Sequence, residues 1–459
     1  MAKHLNLVGE EGNHASPEHF LQQHPELAAI DLVLPDINGV LRGKRILPSQ
    51  LDKVAKEGVC LPASVFGLDI TGETVEETGL GFSSGDSDRR CYLVPGSLCL
   101  APWHDKPMGQ AMLTMVDNDA SPYGAEPRNV LARVVEQMQA LGYTPCIAVE
   151  LEFYLVDQER NEEGALQPPL TPDGRTRAAA TQVYSLDDLD QFEGFLDEVN
   201  AVCQQQGIAA SNAVAEYAPG QFEINLLHLP DAVKACDQAV MLKRVVKAVA
   251  AKYGYGATFM AKPHQELAGS GLHLHLSLLD GQGANRFASD ESLLKQAVAG
   301  MLALMGESEL LFAPHANSYR RMQPDMFVPT LPCWGYDNRT VALRIPNGSP
   351  ADTRIEHRLG GADANPYLVA AAVIAGALHG LSQQLQPPAP IEGNAGDAKL
   401  EALPCRWQAA VDGFAAAEHL PAYLGSDFCQ VYQQVKQAEI DRFEQQITPL
   451  ELQWYQNTI

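Results

Sequence analysis

The chain has 459 residues, 46% of them hydrophobic, enough to build two ordinary globular domains or one large one. A formal net charge of -25 argues against nucleic acid and anionic membrane surfaces as partners and favours cations, whether metal ions or ammonium-type substrates. Nine scattered cysteines, with no Cys-x-x-Cys pair, point to a reducing compartment and away from a zinc site.

Residues 1–24 are polar, carry His4, His14, His19 and His24 without helical or strand period, and read as a tail. The start shows no signal-peptide pattern, and the longest apolar run, Val369 to Leu378, is too short to span a bilayer, so the expected location is cytoplasmic. From Leu27 to about Val116, short apolar stretches such as Ile30 to Leu34, Val59 to Leu61 and Cys91 to Val94 are broken by Gly and Pro. They predict a small, mostly β domain over 25–117. Pro127 then opens an amphipathic helix with Val130, Leu131, Val134, Val135, Met138 and Leu141 on one face and Gly142 as its stop. A second helix is expected from the Ser185 cap through Leu189, Phe192, Leu196, Val199 and Val202 to Gly207. Strand-like segments alternate with these helices at Cys146 to Phe153, Phe222 to Leu227, Leu272 to Leu278 and Val341 to Ile345. The alternation predicts an α+β domain over 118–459.

Inside the first of those strands, Glu150 and Glu152 are two apart and therefore share a face. Carboxylates that close repel unless a cation lies between them, so a divalent metal pair is one explanation and a solvated strand face the other. Glu216 and Glu223 flank the turn-prone Pro219-Gly220, which could fold both carboxylates to one place or leave two exposed acids beside a turn. In Gly269-Ser270-Gly271-Leu272-His273-Leu274-His275-Leu276-Ser277 a glycine loop leads into a strand whose histidines face one way, a pattern suited to metal and phosphate ligation. Arginines then gather in Asn317-Ser318-Tyr319-Arg320-Arg321, Trp334-Gly335-Tyr336-Asp337-Asn338-Arg339, Arg344-Ile345-Pro346 and Arg354-Ile355-Glu356-His357-Arg358. In a chain so short of basic residues, that density reads as a site for anions.

Taken in order, the Glu-x-Glu, Gly-Ser-Gly-x-His-x-His, Asn-Ser-Tyr-x-Arg, Asn-Arg and Arg-Ile-Glu-x-Arg signatures resemble those of the glutamine synthetase superfamily, from roughly Leu27 to Thr448-Pro449. The resemblance implies a β-grasp-like amino-terminal domain and a catalytic domain on a curved antiparallel sheet. It also implies a homo-oligomer, usually a dodecamer of two hexameric rings with active sites between neighbouring subunits. Position by position, it implies one divalent metal, Mg²⁺ or Mn²⁺, held by Glu152, Glu216 and Glu223, and a second held by Glu150, His273 and Glu356. Glutamate would be held by Gly269, Arg321 and Arg358, and ATP by His275, Ser277, Arg344 and Arg354, with Arg339 facing the phosphoryl group in transfer.

Departures from the ammonium-using pattern fall where the amine is handled. Phe327 stands where glutamine-forming members carry a flap glutamate, Ala268 where a flap asparagine is expected, and Asp69 is the nearest counterpart of the aspartate serving the ammonium site. Pro387 to Gly396 replaces the adenylylated loop. Phe66 to Asp88, together with Trp334 to Arg339, looks like the branch that glutamylates polyamines. The expected partners are therefore glutamate, ATP and a small amine, first putrescine or spermidine, then ethanolamine or another monoamine, with Asp69 as the amine base. The alternatives are an ammonium-using synthetase and a non-catalytic assembly; filled metal positions weigh against the latter.

Overall fold

The computed structural model describes residues 16–459 except 178, 180–182 and 324–326. Where a tail was expected it opens on a helix, Pro17–Gln23, whose Ser16 cap accepts the His19 N–H at 3.2 Å and whose Phe20 is buried in the core. Two turns are too few for periodicity to show, and the local signal was the Ser-Pro start alone. His4 and His14 lie outside the described residues.

Two sheets organise the rest. The amino-terminal sheet is built from β1 (Ala29–Pro35), β2 (Leu41–Ile46), β3 (Val59–Pro62), β4 (Asp88–Leu93), β5 (Cys99–Leu100) and β6 (Met108–Val116), ordered β2-β1-β6-β4-β3 with β5 beside β6. Every residue of the central strand β6 is buried. A strand paired on both edges and covered on both faces requires a nearly continuous apolar run, which Met108–Val116 supplies.

The second sheet contains β7 (Thr144–Asp157), β8 (Ala210–Ala215), β9 (Gln221–Leu226), β10 (Tyr255–Thr258), β11 (Leu272–Leu279), β12 (Trp334–Tyr336), β13 (Leu343–Ile345) and β14 (Ile355–His357). Its order is β12-β13-β14-β11-β7-β9-β8, with β10 on β7; all pairs are antiparallel except β12 with β13. The 14-residue β7 is the spine, pairing with β11, β9 and β10 along its length. Gly220, at φ +73°, makes the β8–β9 reversal that the Pro-Gly pair predicted.

The Pro127 helix forms as expected, over Pro127–Ala140. The helix expected from Ser185 to Gly207 is two, Leu186–Gln191 and Glu193–Gln205, because Phe192 leaves the helical path to bury its ring against Phe222 and Tyr255. Helix Pro366–Gln383 contains the Val369 to Leu378 run and, at 18 residues, is long and apolar enough by length and composition to cross a membrane. Its apolar length is instead buried in the core. It meets helix Glu291–Ala303 backbone to backbone: a Cβ on Gly380 would fall 1.9 Å from Gln296 O, and one on Gly300 2.1 Å from Gly376 O. Helices Pro127–Ala140, Ala232–Lys252 and Pro366–Gln383 pack against β7 and β11, and the other face of the sheet is left to the polar residues.

Candidate active site

Cross-strand pairing assembles the site. Glu223 of β9 stands opposite Glu152 of β7, Glu150 of β7 opposite His273 of β11, His275 of β11 opposite Glu356 of β14, and Glu356 opposite Arg344 of β13. Period-two alternation sends their side chains to one face while Val149, Leu151, Leu274 and Leu276 fill the core on the other. Two sets of ligand atoms lie mutually within 4.8 Å: Glu150, His273 and Glu356, and Glu152, Glu223 and His273. His273 thus belongs to both sets, where the sequence assigned it to one. Glu216 is outside the tight sets but close enough for its charge to act on Glu223.

Burial and the Glu150, Glu152 and Glu216 charges push the Glu223 carboxyl up to about 9, and burial and Glu152 push Glu216 up to about 7. Burial also opposes charge on Glu150, but hydrogen bonds from His273 and His275 outweigh it and hold this carboxyl far below the usual range. Burial opposes charge on Glu356 too, but the Arg358 guanidinium leads the groups that overcome it and hold this carboxyl at about 2. The chain therefore balances the Glu356 side of the cluster with its own cations and leaves the Glu216–Glu223 side with too few, so those carboxyls are held toward their protonated form until a cation replaces the proton. Such a donor set, oxygen-rich with one shared imidazole, fits hard divalent cations.

Other contacts fix these ligands in place. Glu152 Oε2 accepts the Gly271 N–H at 2.8 Å and the Gln221 amide at 3.3 Å; the same Gln221 nitrogen donates to Gly269 O at 3.0 Å. Asn225 donates to Glu223 at 3.2 Å. Gln221 and Asn225 escaped the sequence reading; their only signal was the period-two register with Glu223 on a short strand. Arg354 Nε donates to His275 Nδ1 at 3.1 Å, so the ring carries its proton on Nε2 and donates it to Glu150 at 2.8 Å.

Arg344 donates to Glu356 at 2.9 Å and to Asp337 at 2.7 Å, and Arg358 also pairs with Glu356. Arg321 is buried and donates to Leu359 O at 2.8 Å. Among the described residues the buried Nε atoms of Arg321, Arg344 and Arg358 have no partner, so guanidinium capacity is left beside the carboxylates. A Cβ at Gly271 would lie 2.9 Å from Arg321 Nη2 and 3.0 Å from His273 Nε2, which is why this loop needs glycine. His275, Ser277 and Arg354 line one cavity of about 240 Å³ with Glu150 and His228.

Two expected residues behave differently. Asp69 is not brought into this cluster within the chain, and both of its carboxylate oxygens are engaged elsewhere. Its buried Oδ1 accepts from Thr71 N at 2.9 Å, Thr71 Oγ1 at 2.7 Å and Glu73 N at 3.0 Å, while Oδ2 pairs with Arg442 at 2.7 Å. Phe327 is 65% exposed and sits at φ +52°; Pro324, Asp325 and Met326, from which its register was counted, lie outside the described residues. Arg339, exposed on the turn after β12, is close enough for its charge to act on Glu216.

Comparison with known proteins agrees with this geometry. Residues 124–455 match the family model described as glutamine synthetase, catalytic domain. The chain is 47% identical to gamma-glutamylputrescine synthetase PuuA of Escherichia coli (strain K12), over 95% of this chain and 93% of that protein. It is 34% identical to gamma-glutamylethanolamide synthetase GlnA4 of Streptomyces coelicolor, over 95% and 94%, and 33% identical to a glutamate–isopropylamine ligase of a Pseudomonas species, over 96% and 97%. The solved GmaS/ADP complex superposes with a TM-score of 0.83 at 25% identity, covering 96% of this chain and all (100%) of that one.

Proposed function

The chain belongs to the glutamine synthetase family, and from that premise we propose that it is an ATP-dependent glutamate–amine ligase whose amine is putrescine or a related polyamine. The observation that carries the reaction class is the single row of carboxylates, histidines and arginines across β9, β7, β11, β14 and β13. The amine is carried by the 47% identity to a putrescine ligase over nearly the whole chain.

A carboxylate has no leaving group, so the glutamate γ-oxygen must first form a bond to the γ-phosphorus of ATP, expelling ADP. The amine nitrogen then attacks the acyl carbon, phosphate leaves, and the amine gives up a proton. Gly269, Arg321 and Arg358 hold glutamate, and His275, Ser277, Arg344 and Arg354 face the nucleotide. Arg339 meets the charge that develops on the phosphoryl group. Glu152 and Glu223 with His273 would hold one divalent ion, Glu150 and Glu356 with the same imidazole the other, and Glu216 would complete the first. Bound Mg²⁺ or Mn²⁺ supplies charge neutralisation and orients phosphate oxygens. Asp69 enters this reading as the anchor of its loop rather than as the amine base. The chain assembles as a homo-oligomer, with a dodecamer of two rings as the specific form, in the cytoplasm. The terminal helix Pro449–Tyr455, with Leu450, Leu452, Trp454 and Tyr455 largely exposed, supports association.

The test is phosphate release from ATP and glutamate with ammonium, ethanolamine, isopropylamine, putrescine and spermidine offered separately. A polyamine should give the highest kcat/KM. Preference for ammonium would overturn the amine assignment, and no release with any amine would overturn the ligase.

A further inference from the structure

Away from the carboxylate row, a cavity of about 760 Å³ lies between the amino-terminal sheet and helix Ala232–Lys252. Much of its wall is apolar, including Val40, Leu41, Trp103, Val240 and Phe259. Its charge runs against that of the whole molecule. The chain has 57 acidic residues and 32 Lys and Arg. Yet among the described residues Lys243, Arg244 and Lys247 line the cavity with Asp363 as the single acidic residue. Asp363 accepts from Ser318 through Oδ2 at 2.6 Å, while its buried Oδ1 has no partner among the described residues and its charge only partly offsets the effect of burial on Lys243.

These cations differ in how they are satisfied. Arg244 is paired with Asp31 at 2.9 Å, though its buried Nε has no partner among the described residues. Lys243 Nζ donates to two backbone carbonyls, Ala362 O at 2.6 Å and Ala364 O at 3.0 Å. Lys243 and Lys247, one helical turn apart, hold their ammonium groups 5.5 and 5.7 Å from the centre of the Phe259 ring. Among the described residues neither has a carboxylate at ion-pair distance. A volume of this size, apolar with a few convergent charges, suits a small organic molecule.

We propose that this cavity is a second ligand site, selective for an organic anion with an apolar body. The anionic head, a carboxylate, phosphate or sulfonate, lies between Lys243 and Lys247, and the body packs against Trp103 and Phe259. Burial and the nearby Lys247 push the Lys243 ammonium down to about 7, a shift that an anionic head reverses. None of the residues assigned to ATP, glutamate or metal lines the cavity.

Anilinonaphthalene sulfonate, an apolar body with one fixed anionic head, is the probe, titrated into the full-length protein by fluorescence and calorimetry. One saturable site per chain is expected, displaced by phenyl phosphate. Lys247→Glu, at an exposed position, and Trp103→Ala should each weaken it by about tenfold, the loss of one good contact. His275→Ala, in the nucleotide cavity, should leave it unchanged. No saturable binding to the assembled protein would overturn the proposal. So would wild-type affinity in Lys247→Glu, or loss of binding in His275→Ala, which would place the probe in the nucleotide cavity.

Discussion

His273 faces Glu150 across the β7–β11 pair and turns its two ring nitrogens to different carboxylates, Nδ1 at 3.3 Å from Glu150 Oε2 and Nε2 at 4.0 Å from Glu152 Oε1. One imidazole therefore borders both sets of candidate ligands. His273→Ala should weaken Mn²⁺ binding at both positions by about a hundredfold or more, since even the outer partners of metal ligands cost 10 to 100. Glu223→Ala should weaken one position only. Calorimetric titration with Mn²⁺ reads both outcomes, and two undiminished sites in His273→Ala would remove it from the metal centre.

Stability should depend on pH through Glu223. Its folded carboxyl lies at about 9, raised by burial and then by Glu150 and Glu152, whereas an unfolded glutamate titrates near about 4.3. Between those values the folded, metal-free protein holds a proton that the unfolded chain has lost. Its contribution to stability is complete below the unfolded value and is lost as pH rises through the folded one. Chelator-treated protein should thus lose Tm between about pH 5 and about pH 9. Glu223→Gln should flatten that fall, and Mn²⁺ should raise Tm more at the alkaline end. Identical Tm profiles for wild type and Glu223→Gln in chelator would refute the assignment.

What was legible in the sequence was what strand periodicity enforces. Glu150 with Glu152, and His273 with His275, could be placed on common faces because residues two apart on a strand must share one. The Pro219-Gly220 reversal was legible for the same local reason. Strand order was not, so nothing in the sequence showed His273 between both carboxylate sets or Gln221 bridging Glu152 to Gly269. The tie of Asp69 to Arg442 was not legible because the two lie 373 positions apart in the chain, beyond the reach of any local pattern. Helix Pro17–Gln23 was missed because its buried face is a single residue, Phe20.

Asp69 and Arg442 yield a prediction that separates an anchor from a base. Arg442 ties the Asp69 loop to helix Ser426–Glu444 through Asp69, Thr71 at 2.6 Å and Glu73 at 2.5 Å. Asp69→Asn should slow turnover by a similar factor at pH 7 and pH 9, and Arg442→Ala should reproduce the loss. Rate recovery with rising pH in Asp69→Asn alone would return the base role to Asp69.

The last prediction concerns Phe327, whose φ of +52° is rare for a residue with a side chain and whose ring is largely exposed. A left-handed backbone costs about 1–2 kcal/mol here, and such outliers gather at functional positions. An alkylammonium resembles lysine, with a pKa of about 10.4, so freeing its nitrogen near pH 7 costs about 4 to 5 kcal/mol. An apolar wall lowers that cost by desolvating the charge, while the ring face still tolerates the alkylammonium on its way in. A carboxylate at the same place holds the ammonium charge and favours the smallest amine. Phe327→Glu should therefore lower kcat/KM for putrescine relative to ammonium by about tenfold, equivalent to about 1.4 kcal/mol. Phe327→Leu should largely keep the preference. Phe327→Gly should raise Tm by relieving the backbone and still lose putrescine turnover, which a purely structural residue would not do. An unchanged amine preference in both Phe327→Glu and Phe327→Gly would remove Phe327 from the amine site.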